Sequence, residues 1–294
     1  MTTQTAGATR TEASRRVRTE PNARRVRVFF GGQAVADSSA TIYLFETGHL
    51  PVYYFPRADV RFDLLEPTSH HTHCPYKGDA SYYDVVVGDR RVENAVWAYP
   101  APIDSVPELT DYVAFYWNKA DAWYEEDDEV FKHPRDPYHR VDVLSSSRHV
   151  EVRVNGVLVA DTRRPRLLFE TGLPVRYYIP KLDVRLDLLE PTATRSRCPY
   201  KGEAVYWSVR AGDEVHADIA WGYPAPIAEA PKIENLVAFY NEKVDITVDG
   251  VRQERPATPW SLWASARPGD RAAWWPRTGG GAGRAAAGSA RRGR

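Results

Sequence analysis

The feature that most constrains the fold of this chain is an internal repeat. Shifted by 124 positions, the sequence overlays on itself without a gap. Between Phe45–Pro102 and Phe169–Pro226, more than half of the positions carry the same residue. A shared fold alone would not preserve so many side chains, so the repeat indicates a duplication. We therefore predict two copies of one small domain.

The segments between and beyond the two copies differ from them in composition. We predict a disordered tail over residues 1–24, a first β domain over 25–132 and a Pro-punctuated linker over 133–148. A second β domain over 149–261 and a basic disordered tail over 262–294 follow. The last segment combines Ala, Gly and Arg and has no counterpart in the first copy. A basic tail can contact nucleic acid, although a tail without a structural role is the simpler interpretation.

Alternating apolar and polar residues predict that each copy is mostly β. Val150, Val152 and Val154 alternate with polar residues, and the following Asn155-Gly156 suits a hairpin turn that needs positive φ at both positions. Further strands are expected at Val26–Val28, Ala34–Ala36, Ile42–Thr47, Tyr53–Phe55, Ser81–Val87, Val92–Tyr99 and Asp245–Val248. Helical structure is expected only as a turn or two near Pro107–Tyr112. Each copy should be a small antiparallel β barrel or sandwich, and the copies should pack as a pseudo-symmetric pair.

The bulk composition argues against several classes of protein. The formal net charge is zero, whereas a nucleic-acid-binding protein usually carries a positive excess. Two cysteines cannot form a disulfide framework, and a structural zinc site usually needs four Cys or His ligands. No apolar run is long enough to span a membrane, and no apolar region follows Arg15 and Arg16 as in a signal peptide. A cytoplasmic protein with no membrane partner is the expectation.

The main candidate for chemistry is the block Cys74-Pro75-Tyr76-Lys77-Gly78, which recurs as Cys198–Gly202. A nearby ammonium group lowers the pKa of a thiol and makes it a better nucleophile. Cys74 and Cys198 are therefore candidate catalytic residues, supported by Lys77 and Lys201. The alternative is an inert cysteine in a turn, because free cysteines are often buried and no histidine adjoins Cys198 in the sequence.

A second candidate is the charged stretch Arg61, Asp63 and Glu66, which recurs as Arg185, Asp187 and Glu190. Arg61 and Arg185 are predicted to bind a polar ligand, and Glu66 and Glu190 to act as catalytic general bases. An ordinary structural ion pair is the alternative. Glu46 and Glu170 each lie in an apolar run, so each must either face solvent or be buried with a partner.

Aromatic and histidine residues complete the candidate set. Tyr76 and Trp97, with Tyr200 and Trp221, are predicted to line a ligand pocket, although such residues more often belong to a core. His70, His71 and His73 resemble a metal cluster when taken alone. The second copy has Thr194-Arg195-Ser196-Arg197 at these positions, so we predict neither a metal site nor a cofactor.

The blocks Glu-Thr-Gly, Asp-Leu-Leu-Glu-Pro-Thr, Cys-Pro-Tyr-Lys-Gly and Trp-x-Tyr-Pro resemble the bacterial family catalogued as domain of unknown function 427, which is also labelled nucleotidyltransferase-like. The resemblance covers residues 25–261. It implies a compact β-rich domain similar to methionine sulfoxide reductase B and the Mss4-like folds. Those proteins hold zinc with paired Cys-x-x-Cys motifs, which this chain lacks. Gly31-Gly32 is followed by a strand pattern instead of a helix, so these residues add little to the transferase label.

These observations lead to several hypotheses about function. The first is that each Cys-Pro-Tyr-Lys-Gly loop binds or processes a small polar metabolite. The second is a thiol-dependent enzyme with Cys74 and Cys198 as nucleophiles. The third is the transferase of the family label, and the fourth is a non-catalytic interaction module.

Overall fold

The computed structural model describes residues 17–258 and divides them into two compact units between Asp128 and Glu129. The predicted tail at 262–294, and residues 1–16 of the predicted N-terminal tail, lie outside the described residues. Within residues 17–258 the structure contains β-strands and short 3-10 helices but no α-helix. None of the helices in this part of the chain is long and apolar enough to cross a membrane.

The first copy is built from two antiparallel sheets. Its strands are β1 (Val17–Pro21), β2 (Val26–Phe30), β3 (Gln33–Ser38), β4 (Ile42–Glu46), β5 (Val52–Pro56), β6 (Leu65–Cys74), β7 (Gly78–Val87), β8 (Arg90–Pro102), β9 (Tyr112–Phe115), β10 (Ala122–Glu125) and β11 (Asp128–Glu129). The larger sheet has the order β1-β4-β5-β9-β8-β7-β6, and the smaller has the order β11-β10-β2-β3. Its 3-10 helices are Arg57–Asp59, Phe62–Leu64 and Pro107–Asp111.

The larger sheet of the first copy is apolar on both faces. Neighbouring side chains of a strand point to opposite faces, so Tyr53 packs into the core between the two sheets while Tyr54 packs on the outer face. Trp97 and Tyr99 share the outer face with Tyr54, and Leu109 of the 3-10 helix Pro107–Asp111 packs against this cluster. Burying each of these large side chains contributes about 2 kcal/mol. The side chains on the outer face therefore form a second hydrophobic core.

The second copy repeats this architecture strand for strand. Its strands are β12 (Val141–Ser145), β13 (Val150–Val154), β14 (Val157–Thr162), β15 (Arg166–Glu170), β16 (Arg176–Tyr178), β17 (Leu189–Cys198), β18 (Gly202–Ala211), β19 (Glu214–Gly222), β20 (Ala238–Phe239), β21 (Asp245–Val248) and β22 (Val251–Arg252). Its 3-10 helices are Lys181–Asp183, Leu186–Leu188 and Pro231–Ile233. The sheets have the orders β12-β15-β16, β17-β18-β19-β20 and β14-β13-β21-β22.

The register of the strands preserves the 124-residue repeat. Val17 pairs with Glu46 between β1 and β4, and Val141 pairs with Glu170 between β12 and β15. A bridge between Ile179 and Val237 links β16 to β20, which restores the strand order of the larger sheet in the first copy. The predicted mostly β fold of two tandem copies is therefore confirmed, as a two-sheet sandwich in each copy. The likeness to Mss4-like folds stays a prediction.

Several strands lie outside the sequence-based predictions, among them β1, β6, β9, β10 and β12. β1 lies inside the predicted N-terminal tail, and β12 lies inside the predicted linker. Both are edge strands whose exposed polar residues obscure the apolar alternation. β6 was not predicted at all, because an edge strand with a register shift between Pro67 and His71 tolerates proline and a run of polar residues.

Candidate functional site

The Cys-Pro-Tyr-Lys-Gly block forms the tight turn between β6 and β7 in the first copy, and between β17 and β18 in the second. The backbone N–H of Lys77 donates to the carbonyl of Cys74, and Gly78 has a φ of +100°. A Cβ on Gly78 would lie 3.1 Å from the carbonyl oxygen of Ala101, so a side chain would strain this turn. The turn is thereby fixed against the end of β8.

The turn directs its lysine into a buried ion pair. Lys77 Nζ lies 2.5 Å from Glu46 Oε2, and Lys201 Nζ lies 2.5 Å from Glu170 Oε2. Only 3% of Lys77 and 8% of Glu46 is exposed. Removing charges from water is costly, and removing one partner of a buried pair typically costs about 3–5 kcal/mol. Glu46 and Glu170 are therefore buried with a partner, one of the two alternatives that the sequence left open.

Cys74 and Cys198 are free thiols at the base of this turn, and each is half-buried. Cys74 packs against the cluster that contains Tyr54 and Tyr99. Burial raises the pKa of both tyrosines above its usual range, and the charge of Glu46 acts in the same direction. The two phenols therefore remain neutral hydroxyl groups at physiological pH.

Hydrogen bonds organise the aromatic residues around the thiol. Trp97 Nε1 donates to Tyr54 Oη at 3.0 Å, and the corresponding Trp221 donates to Tyr178 at 3.2 Å. The hydroxyl groups of Thr72 and Tyr82 lie 2.8 Å apart. We define the thiol face of each copy as the ion pair, the cysteine and the three aromatic residues next to them: Glu46, Tyr54, Cys74, Lys77, Trp97 and Tyr99, and then Glu170, Tyr178, Cys198, Lys201, Trp221 and Tyr223.

The lysines that were predicted to support the thiols each pair with a glutamate. The ammonium group of Lys77 pairs with Glu46, which neutralises its charge. Lys201 is paired with Glu170 in the same way. Trp97 and Trp221 are almost completely buried, whereas Tyr76 and Tyr200 are half-buried in the turn.

The charged stretch that was predicted to bind ligand lies away from the thiol face. Arg61 pairs with Asp63, and Arg185 pairs with Asp187. All four side chains are more than half exposed. Glu66 pairs with Arg91 on the surface. Glu66 pairs with Asp84 and Cys74 with Gly78 across β6 and β7, so six residues of β7, or about 20 Å, separate the two positions. Glu66 therefore does not meet the thiol of the same copy, and Glu190, paired with Arg210, is placed likewise.

The three histidines of β6 have separate surroundings. The ring of His70 packs against Tyr82, with centroids 4.4 Å apart, and His73 Nδ1 lies 2.6 Å from Asp79 Oδ1. His71 Nδ1 lies 3.5 Å from Ser81 Oγ. Within residues 17–258 no group of three or more His, Cys, Asp or Glu side chains is placed to hold a metal ion.

The second thiol face has one residue that sequence reasoning missed. His139 Nε2 lies 3.0 Å from Glu170 Oε1, and its ring stacks on Tyr200 with centroids 4.2 Å apart. Burial alone would raise the pKa of Glu170, but the hydrogen bond with His139 and the charge of Lys201 outweigh burial, so the pKa lies below its usual range. His139 is 31 residues from Glu170 along the chain, and no sequence motif signals this contact.

The second copy also contains a buried cation beside its tryptophan. Arg176 Nη1 and Nη2 each donate to Glu242 at 2.7 Å, and Thr258 Oγ1 donates to the same carboxylate. The guanidinium carbon lies 5.6 Å from the centre of the Trp221 ring. The first copy has Val52 at the position of Arg176, so the surroundings of the two thiol faces differ.

The fold and the two thiol faces define a duplicated, mostly β protein with the same cluster in each copy. The family described as domain of unknown function (DUF427) matches residues 18–126 and residues 142–250. These matches cover more than half of the chain, so the chain belongs to this family and contains two tandem domains of it. No curated protein matches the chain.

Proposed function

We propose that each copy binds a small polar metabolite at its thiol face, with the turn between β6 and β7, or between β17 and β18, as the contact surface. The observation that carries this proposal is the buried lysine–glutamate pair, which both copies retain at the same distance. Replacing a buried ion pair with apolar residues of similar volume is often neutral or stabilising. The charges are therefore better explained by recognition of a polar group than by stability.

The surroundings of the ion pair support a binding role. Cys74 and Tyr76 of the turn remain half-buried beside it, so both can contact a bound molecule, while the buried Tyr54 and Tyr99 pack in the core next to the thiol with neutral hydroxyl groups. Sites for small molecules commonly combine aromatic walls with a few fixed polar groups. A ligand with both an apolar part and a hydrogen-bonding or charged group fits this combination.

A thiol-dependent reaction at the same place is the second candidate. The partial exposure of Cys74 and Cys198 favours it, because a nucleophile must reach its substrate. Within one copy, the residue that accompanies the thiol in such a mechanism is Glu46 or Glu170, since Glu66 and Glu190 lie near the far end of the strand.

The experiment measures protection of the two thiols. The native protein is treated with iodoacetamide in the presence of pooled amino acids, organic acids, sugar phosphates or nucleosides, and the modification of Cys74 and Cys198 is followed separately by mass spectrometry. A ligand at the thiol face should slow the modification of the cysteine beside it. Turnover of the protecting compound would favour the second candidate over simple binding.

Two variants make the test specific to the site. Lys77→Met should abolish protection at Cys74 and preserve it at Cys198, which serves as the control in the same molecule. Arg61→Gln, a substitution in an exposed pair away from the thiol face, should preserve protection at both cysteines. The proposal fails if no pool protects either thiol, or if Arg61→Gln removes protection as completely as Lys77→Met.

A further inference from the structure

The segment His133–Arg140, which we call the connector segment, lies within the second compact unit and contacts its thiol face. His139 contributes two contacts from one ring. With a proton on Nε2 it donates to Glu170 Oε1 at 3.0 Å, and its flat face stacks on Tyr200 at an interplanar angle of 24°. A protein can recognise an imidazole ring in two ways: a carboxylate binds the N–H at its edge, and a tyrosine ring stacks on its face.

Backbone hydrogen bonds on both sides of His139 hold the connector segment in place. The N–H of Asp136 donates to Tyr200 Oη at 2.8 Å. The N–H of Arg140 donates to Thr171 Oγ1 at 2.9 Å, and the N–H of Thr171 donates to the carbonyl of Arg140 at 3.0 Å. The segment is therefore attached to the turn at one end and to the end of β15 at the other.

The burial of the turn differs between the two copies where the connector segment lies. Pro199 in the turn of the second copy is buried, whereas the corresponding Pro75 of the first copy is exposed. The side chain of His139 itself is only 19% exposed. The second Cys-Pro-Tyr-Lys-Gly turn is thus covered by its own chain.

We propose that Glu170 and Tyr200 form a recognition site for an imidazole group, and that the connector segment fills this site with His139 as an intramolecular ligand. The connector segment then covers the second thiol face, and an external ligand must displace it. This inference rests on the proposed function only in treating the turn as a binding surface.

The test uses free imidazole as the probe and the full chain as the protein. His139→Ala should release the connector segment, and tryptic cleavage after Arg135 and Arg140 should become about tenfold faster, since one hydrogen bond to a charged group is lost. Added imidazole should occupy the vacated site and return the cleavage rate toward that of the wild-type protein. Cleavage after Arg210 in β18, which reports opening of the whole second unit, should stay unchanged.

His149→Ala is the matched control, because His149 Nε2 also contacts a carboxylate, that of Asp161 at 2.7 Å, while no tyrosine among residues 17–258 stacks on its ring. Its cleavage pattern should not respond to imidazole. If His139→Ala does not fold, two other variants are compared. Glu170→Gln should release the connector segment, whereas His139→Gln retains an N–H donor and should be cleaved more slowly.

Unchanged cleavage of the connector segment in His139→Ala would overturn the proposal, and so would faster cleavage that imidazole does not reverse. Neither outcome depends on a metabolite, so it is distinct from a failure of the thiol-protection experiment.

Discussion

The two copies of this chain share the thiol face but stabilise its surroundings in different ways. In the first copy, Glu125 is buried between the small and large sheets, where it accepts hydrogen bonds from Tyr53 at 2.6 Å and Arg24 at 2.9 Å. The corresponding pair of the second copy, Arg148 and Asp249, is exposed and 3.8 Å apart. The second copy instead buries Arg176 against Glu242.

This difference separates the residues that the fold needs from those that the thiol face needs. Each copy has an ion pair with a buried glutamate outside the thiol face, Arg24–Glu125 in the first and Arg176–Glu242 in the second. These supporting ion pairs lie at different positions, so the fold does not require either position. The lysine–glutamate pair of the thiol face and the turn beside it are the same in both copies. Duplicated sequences are free to diverge where only packing matters, and the thiol face has not diverged.

The largest effect is expected for the supporting ion pair of the second copy. Glu242→Ala should lower the free energy of unfolding by about 3–5 kcal/mol, because it leaves Arg176 buried without its carboxylate. The double variant Arg176→Val with Glu242→Asn installs the residues of the first copy, Val52 and Asn118, and should recover most of the loss. Urea unfolding measures both variants. A double variant as unstable as Glu242→Ala would show that the residues of the first copy cannot replace the ion pair of the second.

The lysines of the two thiol faces should contribute similarly to stability. Lys77→Met and Lys201→Met should each cost about 3 kcal/mol, because Glu46 or Glu170 loses its buried cation. Adding His139→Ala to Lys201→Met should cost about 1 kcal/mol more, because Glu170 then also loses its hydrogen bond with His139. The variants are compared by urea unfolding at neutral pH. No further loss in the double variant would contradict a stabilising role for His139.

Acid should weaken the second copy through Glu170. Because the pKa of this carboxyl group lies below its usual range in the folded state, its stabilising contribution is complete above about pH 4.3 and is lost as the pH falls through the lower, folded value. The difference in free energy of unfolding between the wild-type protein and Glu170→Gln should therefore shrink from pH 6 to pH 3. A difference that is independent of pH would contradict this assignment.

The smallest effect is expected at the exposed pairs. Arg61→Gln and Arg185→Gln should leave the urea midpoint unchanged, because solvent screens both pairs. A clear loss in only one of the two variants would reveal a difference between the copies that their geometry does not show.

The sequence predicted the local features of this fold well. The duplication, the hairpin at Asn155-Gly156 and the 3-10 turn near Pro107 follow from residues that are neighbours in the chain. The edge strand β6 was missed because exposed polar residues do not show the alternation that marks a half-buried strand.

The candidate site was predicted only in part, for a related reason. The Cys-Pro-Tyr-Lys-Gly block was recognisable because it recurs, but the partner of Lys77 is 31 residues away along the chain. Glu66 was the more prominent acid in the sequence, yet β6 places it near the far end from the thiol. Contacts between distant strands depend on register, which a single sequence does not specify.

The most direct test of the central claim replaces the ion pair of the first copy by apolar residues, in the double variant Glu46→Leu with Lys77→Met. We expect the free energy of unfolding of this variant, measured with urea, to equal that of the wild-type protein within about 1 kcal/mol. Metabolite pools that protect Cys74 from iodoacetamide in the wild-type protein should no longer do so, while Cys198 remains protected. Full protection of Cys74 in the double variant would contradict the claim that the buried charges recognise a ligand.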